Sequence, residues 1–233
     1  MAGPGPGIDP ADPDTWTARS FVPPSADLAS LRDAAAACRG CDLWQPATQV
    51  VFGDGSVDAR LMLVGEQPGD REDLAGRPFV GPAGAILDRA LADAGIDRRD
   101  LFVTNVVKHF KWRPSGKRRL HERPNSSEVR ACRPWLDAEL GLVQPAALVA
   151  LGATAAQALL GPEFRVSRHR GTFVPSDLAP RVLATLHPSA ILRAPMDDAR
   201  EEQYQMLVAD LKVVAREIGR DSGLSGPRTP PAR

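Results

Sequence analysis

The chain has 233 residues, of which 43% are hydrophobic and 25% charged, and its 29 basic side chains balance 29 acidic ones. This apolar content excludes a wholly disordered protein, and a net charge of zero excludes a generally basic nucleic-acid coat. Any affinity for DNA or RNA must therefore come from a local patch. The length favours a single domain that is large enough to bury a core.

The N-terminal sequence lacks the basic start and apolar centre of a secretory signal, and no apolar stretch is long enough to span a bilayer. The three cysteines are too few for a disulfide framework. A C-x-x-C pair is instead typical of metal or redox sites in reducing compartments. The sequence therefore predicts a cytoplasmic protein with no membrane segment.

Residues 1–24 are rich in Pro, Gly and Asp and are predicted to be disordered, as is the tail over 222–233, leaving a domain over 25–221. Ser25 or Asp27 is the expected cap of a first helix. Apolar runs predict buried strands, and helical apolar spacing predicts further helices. The strands are 61–65, 101–107, 147–151 and 182–186; the helices are 82–94, 127–142, 154–160 and 197–218. This alternation predicts a three-layer α/β sandwich with a mainly parallel sheet.

Polar side chains follow three of the predicted strands. Glu66 and Gln67 lie in a Gly-Pro turn after the first, Asn105 lies toward the end of the second, and His187 follows the fourth. Each residue alone is equally compatible with an ordinary turn. Because ligands bind at the carboxyl ends of parallel strands, the three positions together favour a functional crevice. Phe79, among Pro and Gly, is either a core residue or a stacking surface for a planar ligand.

The segment 108–123 contains seven basic residues and one Glu, with Phe110 and Trp112 interleaved. Basic and aromatic side chains together suit a phosphate backbone with stacked bases, although a solvated charged loop is the alternative. The stretch 110–125 is expected to be irregular, and a loop of this length inside a domain is usually functional.

The cysteines suggest a metal site. Cys38 and Cys41 form the C-x-x-C pair, Cys132 lies on another element, and His109 is the best placed of the four histidines to complete the set. Zinc accepts three Cys and one His, and iron–sulfur clusters accept His in place of Cys. Spacing alone does not decide between them, and three buried thiols without a metal are a further alternative.

Several motifs taken together resemble those of the iron–sulfur uracil-DNA glycosylases of the family 4 type. They are GEQPG, GRPFVGPAG, TNVVKH, LGATAA and HPSAILR, spread over 35–192. Two differences are informative: His109 stands where that family has a cysteine, and an insertion over 117–121 reads KRRLH. Both features are similar to the UdgX group, whose members carry a KRRIH-like loop and bond covalently to uracil-containing DNA.

The resemblance implies the uracil-DNA glycosylase sandwich with a four-stranded, mainly parallel sheet. It implies a structural [4Fe–4S] cluster. The cluster ligands would be Cys38, Cys41, His109 and Cys132. Phe79 would stack on a flipped uracil, Asn105 would pair with its edge, and His187 would hydrogen-bond uracil O2. Gly65, Asp70 and Ser189 are the remaining expected substrate-binding residues.

For the reaction, we expect His121 to attack C1′ through a ring nitrogen, with Glu66 orienting it and Gln67 placing the sugar or base. We expect phosphate contacts or loop positioning from Lys117, Arg118 and Arg119, and a contact with the DNA backbone near the uracil from Arg193. His169 is a surface or DNA-facing residue to which no role is assigned. The expected substrate is uracil-containing DNA, single-stranded by preference, and the expected state is a monomer. The alternatives are a turnover glycosylase, with His121 as a DNA contact, and a non-catalytic, metal-stabilised nucleic-acid binding protein.

Overall fold

A sheet of six strands runs through the computed structural model, which describes residue 9 and residues 11–222, with the backbone alone for 220–222. The strands in this part of the chain are β1 (Asp54–Gly55), β2 (Leu61–Gly65), β3 (Leu101–Asn105), β4 (Trp112–Ser115), β5 (Arg118–His121), β6 (Ala147–Leu151), β7 (Phe173–Val174) and β8 (Arg181–Thr185). The sheet order is β1-β3-β2-β6-β8-β7, with β4 and β5 forming a separate pair.

The four inner strands of this sheet are parallel, and the two edge strands are antiparallel. The predicted four-stranded, mainly parallel sheet is therefore confirmed as the centre of the fold. The sequence did not indicate β1 and β7, because two residues are too few to show an alternating pattern.

Helices cover both faces of the sheet and give the predicted three-layer sandwich. They are α1 (Leu28–Ala36), α2 (Asp70–Ala75), α3 (Pro82–Asp93), α4 (Ser126–Val143), α5 (Gly152–Leu160), α6 (Val166–His169), α7 (Pro188–Leu192) and α8 (Asp197–Ser222). No helix in the described part of the chain is both long and apolar enough to cross a membrane.

Alternate residues of the central strands separate the core into two layers. Met62 and Val64 of β2 pack with α1, α4 and α5, whereas Leu61 and Leu63 pack with α3 and α8. Every residue of β2, β3 and β6 is buried, as expected for parallel strands that have helices on both faces. This core fixes the carboxyl ends of the inner strands relative to one another.

Part of the N-terminal segment differs from the prediction of disorder over 1–24. Trp16 and Ala18 are buried in the core layer of α1 and α4, and the Ala18 N–H donates to the Ala131 carbonyl at 2.7 Å. Composition averaged over a Pro- and Gly-rich stretch does not reveal a single docking tryptophan. Residues 1–8, 10 and 223–233 lie outside the described residues.

The stretch 110–125 was expected to be irregular, but β4 and β5 form an antiparallel hairpin there, with Trp112 opposite His121. Gly116, in the turn, has φ of 58°, which a two-residue hairpin turn requires at its first position and which glycine adopts readily. Most of the hairpin is exposed and polar, so the usual alternation of apolar and polar residues is missing from its sequence. The hairpin places His121 at its base.

Candidate active site

The carboxyl ends of the parallel strands bring four polar side chains to one edge of the sheet. Glu66 directly follows β2, Asn105 ends β3, Thr154 lies in the first turn of α5 after β6, and His187 follows β8. Gly65 and Asn105 are adjacent partners in the parallel register. The predicted convergence of Glu66, Asn105 and His187 is thus present in the structure.

His121 faces Glu66 across this edge. Its Nε2 lies 3.3 Å from Glu66 Oε1, and the imidazole is about half exposed while the carboxylate is largely covered. Burial lowers the pKa of His121, and the Arg193 guanidinium lowers it further against the opposing effect of Glu66. The imidazole is therefore neutral at neutral pH, which is the form that has a nucleophilic lone pair.

The second oxygen of Glu66 has its own partners. The Thr154 hydroxyl donates to Oε2, and Arg123 Nε donates to Thr154 Oγ1 at 3.0 Å. Arg123 Nε also lies 3.9 Å from Oε2. Because these contacts hold one oxygen, the other is directed at His121. Neither Thr154 nor Arg123 was among the predicted site residues.

Gln67 contacts the hairpin and not the crevice. Its Nε2 donates to the Lys111 and Glu122 carbonyls, each at 3.1 Å, and its Oε1 accepts from the Lys111 N–H at 3.1 Å. The amide thus joins the backbone on both sides of the hairpin. Gln67 is therefore an anchor for the hairpin, and its role in placing the sugar or base stays a prediction.

Arg119 is a second anchor. It donates through Nε to Asp70 and through Nη1 to Asp73, each at 2.6 Å, and Asp73 is completely buried. Asp70 was predicted to bind substrate and Arg119 to contact DNA, but in this structure the two side chains bind each other. Loop positioning, the other predicted role of Arg119, agrees with this geometry.

The basic segment is less exposed than its sequence indicates. Lys108 is fully buried and forms a 2.6 Å ion pair with Glu139, and Lys111 pairs with Glu128 at 3.0 Å. Lys117 and Arg118, at the hairpin turn, are exposed to solvent. These two stay predicted contacts for DNA, while Lys108 and Lys111 are held in ion pairs as part of the scaffold.

Beside the pair, Gly65, Phe79 and Asn105 pack closely together as one cluster. A Cβ at Gly65 would lie 2.4 Å from Asn105 Oδ1 and 2.7 Å from Phe79 Cζ, so only glycine permits this approach. Phe79 has φ of 55°, and such left-handed backbone in a bulky residue costs about 1–3 kcal/mol and is typical of functional sites. Lys108 Nζ fixes the Asn105 carbonyl at 2.7 Å.

His187 lies beside this cluster, with its ring centroid 6.1 Å from that of Phe79. The Ser189 N–H donates to His187 Nδ1 at 3.1 Å, so the remaining proton lies on Nε2. Burial lowers the pKa of His187 to about 4, with smaller contributions from Arg193 and His121. Arg193 donates to the Ser189 hydroxyl at 3.1 Å. His187 is therefore a neutral donor that Ser189 and Arg193 hold in place.

The predicted metal ligands come together elsewhere, on the α1–α4 side of the sheet. A small cavity of about 10 Å³ has Cys38, Cys41, His109 and Cys132 in its lining. All four side chains are buried, and burial raises the pKa of Cys132 to about 12 and lowers that of His109 to about 4. No three His, Cys, Asp or Glu side chains in the described residues are placed to hold a single metal ion.

Comparison with known proteins agrees with this geometry. The model of the uracil DNA glycosylase superfamily matches residues 52–212. The chain belongs to this superfamily. Type-4 uracil-DNA glycosylases of Thermotoga maritima and Pyrobaculum aerophilum are each 38% identical to it, over 70% and 72% of this chain and 82% and 86% of theirs. A Type-5 uracil-DNA glycosylase of Pyrobaculum aerophilum is 31% identical over 84% of this chain and 87% of its own length.

Within this superfamily member, two further residues belong to the site. Thr154 lies in the LGATAA motif, and Arg123 ends the basic segment. The sequence offered a signal for both residues, since LGATAA contributed to the family resemblance and Arg123 belongs to the basic segment. It offered no signal for their contact with Glu66. His169 is exposed on α6, near Phe164, and has no place in the site.

Proposed function

We propose that this superfamily member excises uracil from DNA and bonds covalently, through His121, to the sugar that remains. The observation that carries the proposal is the Glu66–His121 pair beside the cluster of Gly65, Phe79 and Asn105. The names of its relatives support the uracil-DNA glycosylase activity. Single-stranded DNA is the preferred substrate in this proposal, because unstacking a base costs least outside a duplex.

The side chains in and beside this cluster suit uracil as a ligand. Asn105 would donate an N–H to O4 and accept the N3 proton, while Phe79 would stack on the ring. Cytosine reverses both hydrogen-bonding positions and would leave buried polar groups unpaired, which is a strong basis for rejection. His187, as a neutral donor, would hydrogen-bond O2 most strongly when uracil carries negative charge.

In the proposed reaction the bond between uracil N1 and C1′ breaks, and uracil departs with the electron pair as an anion. The hydrogen bond from His187 strengthens as this charge develops, which lowers the barrier. The sugar becomes oxocarbenium-like. The unprotonated ring nitrogen of His121 then bonds to C1′ in place of water. Glu66 stabilises the resulting imidazolium and accepts its remaining N–H proton.

We further propose that Cys38, Cys41, His109 and Cys132 hold a [4Fe–4S] cluster with a structural role. Zinc requires its ligands about 2.0–2.3 Å from one point, and no three His, Cys, Asp or Glu side chains among the described residues converge in that way. Trp135 Nε1 and the Lys108 N–H lie 3.3 Å from the sulfurs of Cys38 and Cys132, as hydrogen bonds to cluster thiolates require. Brown protein with iron and sulfide is the expected result, and colourless protein with stoichiometric zinc would contradict the assignment.

The activity is tested by mixing the protein with a uracil-containing single-stranded oligonucleotide and running a denaturing gel. A stable protein–DNA band with stoichiometric uracil release is expected. Accumulating abasic product without such a band would show turnover glycosylase activity instead. Absence of uracil release from every substrate would favour a nucleic-acid binding protein without this chemistry.

A further inference from the structure

A second cavity, of about 910 Å³, lies between the N-terminal segment and helices α4 and α5. Its charged lining is mainly basic. The charged residues are Arg19, Arg123, Arg130, Arg133, Asp14 and Asp137. Guanidinium groups thus outnumber carboxylates two to one in this groove, in a chain whose overall net charge is zero.

The groove is continuous with the candidate active site. Thr154 and Arg123 line it, and these are the two residues that hold Oε2 of Glu66. A DNA strand that places a C1′ atom at His121 must extend out of the crevice in both directions. A DNA strand that runs past Thr154 would enter the groove.

Apolar and aromatic surface accompanies the charge. Trp16, Val129 and Ala158 form part of the lining. Trp16 is 8% exposed, and its indole N–H has no hydrogen-bond partner among the described residues. Guanidinium groups next to apolar and aromatic side chains are the combination that binds the phosphates and bases of an unpaired strand.

The two arginines at the centre of the groove retain donors for a phosphate. Arg130 Nη2 contacts Asp14 at 3.1 Å, and Arg133 Nε contacts Asp137 at 2.5 Å. Their side chains are 54% and 34% exposed. A guanidinium has five N–H donors, so each group can bind a phosphate while it keeps its carboxylate.

We propose that this groove binds the single-stranded DNA on one side of the flipped uridine. The inference extends the proposed function: Arg130 and Arg133 contact phosphates of that strand, and Trp16 borders its bases. The occupant is an unpaired DNA strand, because phosphates repeat along such a strand as Arg130 and Arg133 repeat along α4.

The first test measures binding of a uracil-free single-stranded oligonucleotide as a function of salt. Arg130→Gln combined with Arg133→Gln should weaken binding and flatten the slope of log K against log salt by about 0.7 for each phosphate that the variant no longer binds. Arg99→Gln is the matched control, because Arg99 is also paired with a carboxylate, Asp97, but lies ahead of β3 at the opposite edge of the sheet. A double variant with the wild-type slope would overturn the proposal.

The second test uses uracil-containing oligonucleotides shortened on the 5′ or the 3′ side of the uracil. The wild type should lose affinity when one particular side is shortened, and the double variant should lose this dependence. Equal dependence in both proteins would also overturn the proposal. Because the first test needs no uracil chemistry, a protein that forms no adduct but shows the altered slope would refute the proposed reaction alone. Circular dichroism and thermal unfolding verify that the variants are folded.

Discussion

Glu66 is the residue on which the geometry of the site depends, because its two oxygens have different partners. Thr154, supported by Arg123, holds Oε2, which leaves Oε1 facing His121. A carboxylate held in this way orients the imidazole and stabilises the positive charge that develops when a ring nitrogen bonds to carbon. The hydrogen-bonded chain from Arg123 to His121 therefore acts as one unit.

Replacement of the nucleophile separates the two halves of the proposed reaction. His121→Ala should abolish the covalent band, because no ring nitrogen remains to bond to C1′. The proposed uracil-binding residues Phe79, Asn105 and His187 are unchanged, so uracil release should persist with water as the acceptor. Denaturing gels and abasic-site cleavage measure the two products. A persistent covalent band in His121→Ala would show that another residue is the nucleophile.

Thr154→Val removes the hydroxyl at nearly constant volume and leaves Glu66 without its neutral donor. A hydrogen bond to a charged group contributes about 1.5–3 kcal/mol, so adduct formation should slow by roughly 10- to 100-fold. Thr154→Ser restores the hydroxyl and should recover most of the rate. If Thr154→Val matches the wild type in rate and pH profile, Thr154 has no positioning role.

The pH dependence of adduct formation follows from the direction of the His121 pKa. Only the neutral imidazole is nucleophilic, and burial lowers this pKa below 6.5. The rate should therefore be constant near neutral pH and fall as the pH decreases through the lowered pKa. Single-turnover rates across this range measure the midpoint. A midpoint above 6.5 would mean that Glu66 outweighs burial.

For single residues, the sequence predicted which side chains lie near the site better than it predicted what each of them contacts. Glu66, Asn105 and His187 follow from strand ends, because parallel strands direct their carboxyl termini to one edge. Gln67 contacts the hairpin, and Arg119, which lies on the hairpin, contacts α2. Both contacts depend on side-chain direction and on a segment that was expected to be irregular. Thr154 was missed because its hydroxyl has a function only beside Glu66.

Among the elements, the β4–β5 hairpin carries His121, the proposed nucleophile, and depends on anchors outside itself. Its two strands are mainly exposed, and an isolated two-stranded hairpin is marginally stable in water. Gln67 supplies three hydrogen bonds at its base, and Arg119 binds Asp70 and Asp73. These anchors keep His121 within reach of Glu66.

Gln67→Leu should loosen the hairpin without unfolding the domain, because the hairpin lies outside the central sheet. The change leaves the Lys111 and Glu122 carbonyls without donors, at a cost of about 1–3 kcal/mol each if they stay buried. Trypsin should cleave after Lys117 and Arg118 roughly 10-fold faster or more, and adduct formation should fall more than uracil release.

The control for the hairpin experiment is Gln205→Leu, which removes an amide bonded to Glu201 on the exposed side of α8. Its trypsin cleavage and adduct yield should equal those of the wild type. Unchanged cleavage in Gln67→Leu would show that Arg119 alone secures the hairpin.

The strands and helices that bury apolar side chains in the core were predictable from the sequence, whereas the hairpin was not. The inner strands and α3, α4, α5 and α8 bury continuous apolar runs or stripes that are visible in the sequence. The hairpin is stabilised by polar contacts to other elements, and these leave no periodic pattern. The same reasoning explains Trp16, one buried side chain in a stretch of loop composition.

For the whole molecule, the proposed cluster site joins segments that are distant in the chain. Cys38 and Cys41 follow α1, His109 follows β3, and Cys132 lies within α4. The Lys108 N–H contacts Cys132 while its ammonium contacts Glu139 and the Asn105 carbonyl. The cluster ligands are thus connected through Lys108 to the residue that would read uracil, so removal of the cluster should affect both stability and recognition.

His109→Ala removes one ligand and should abolish the visible absorbance, whereas His109→Cys supplies a thiolate and should retain it. Loss of such a cross-link costs about 2–5 kcal/mol, which corresponds to a Tm lower by roughly 5–15 °C in a domain of this size. Uracil release should fall in His109→Ala and persist in His109→Cys. The reason is that the connection through Lys108 to Asn105 depends on a complete set of cluster ligands and not on the imidazole itself. Equal absorbance and Tm in the alanine variant and the wild type would remove His109 from the ligand set.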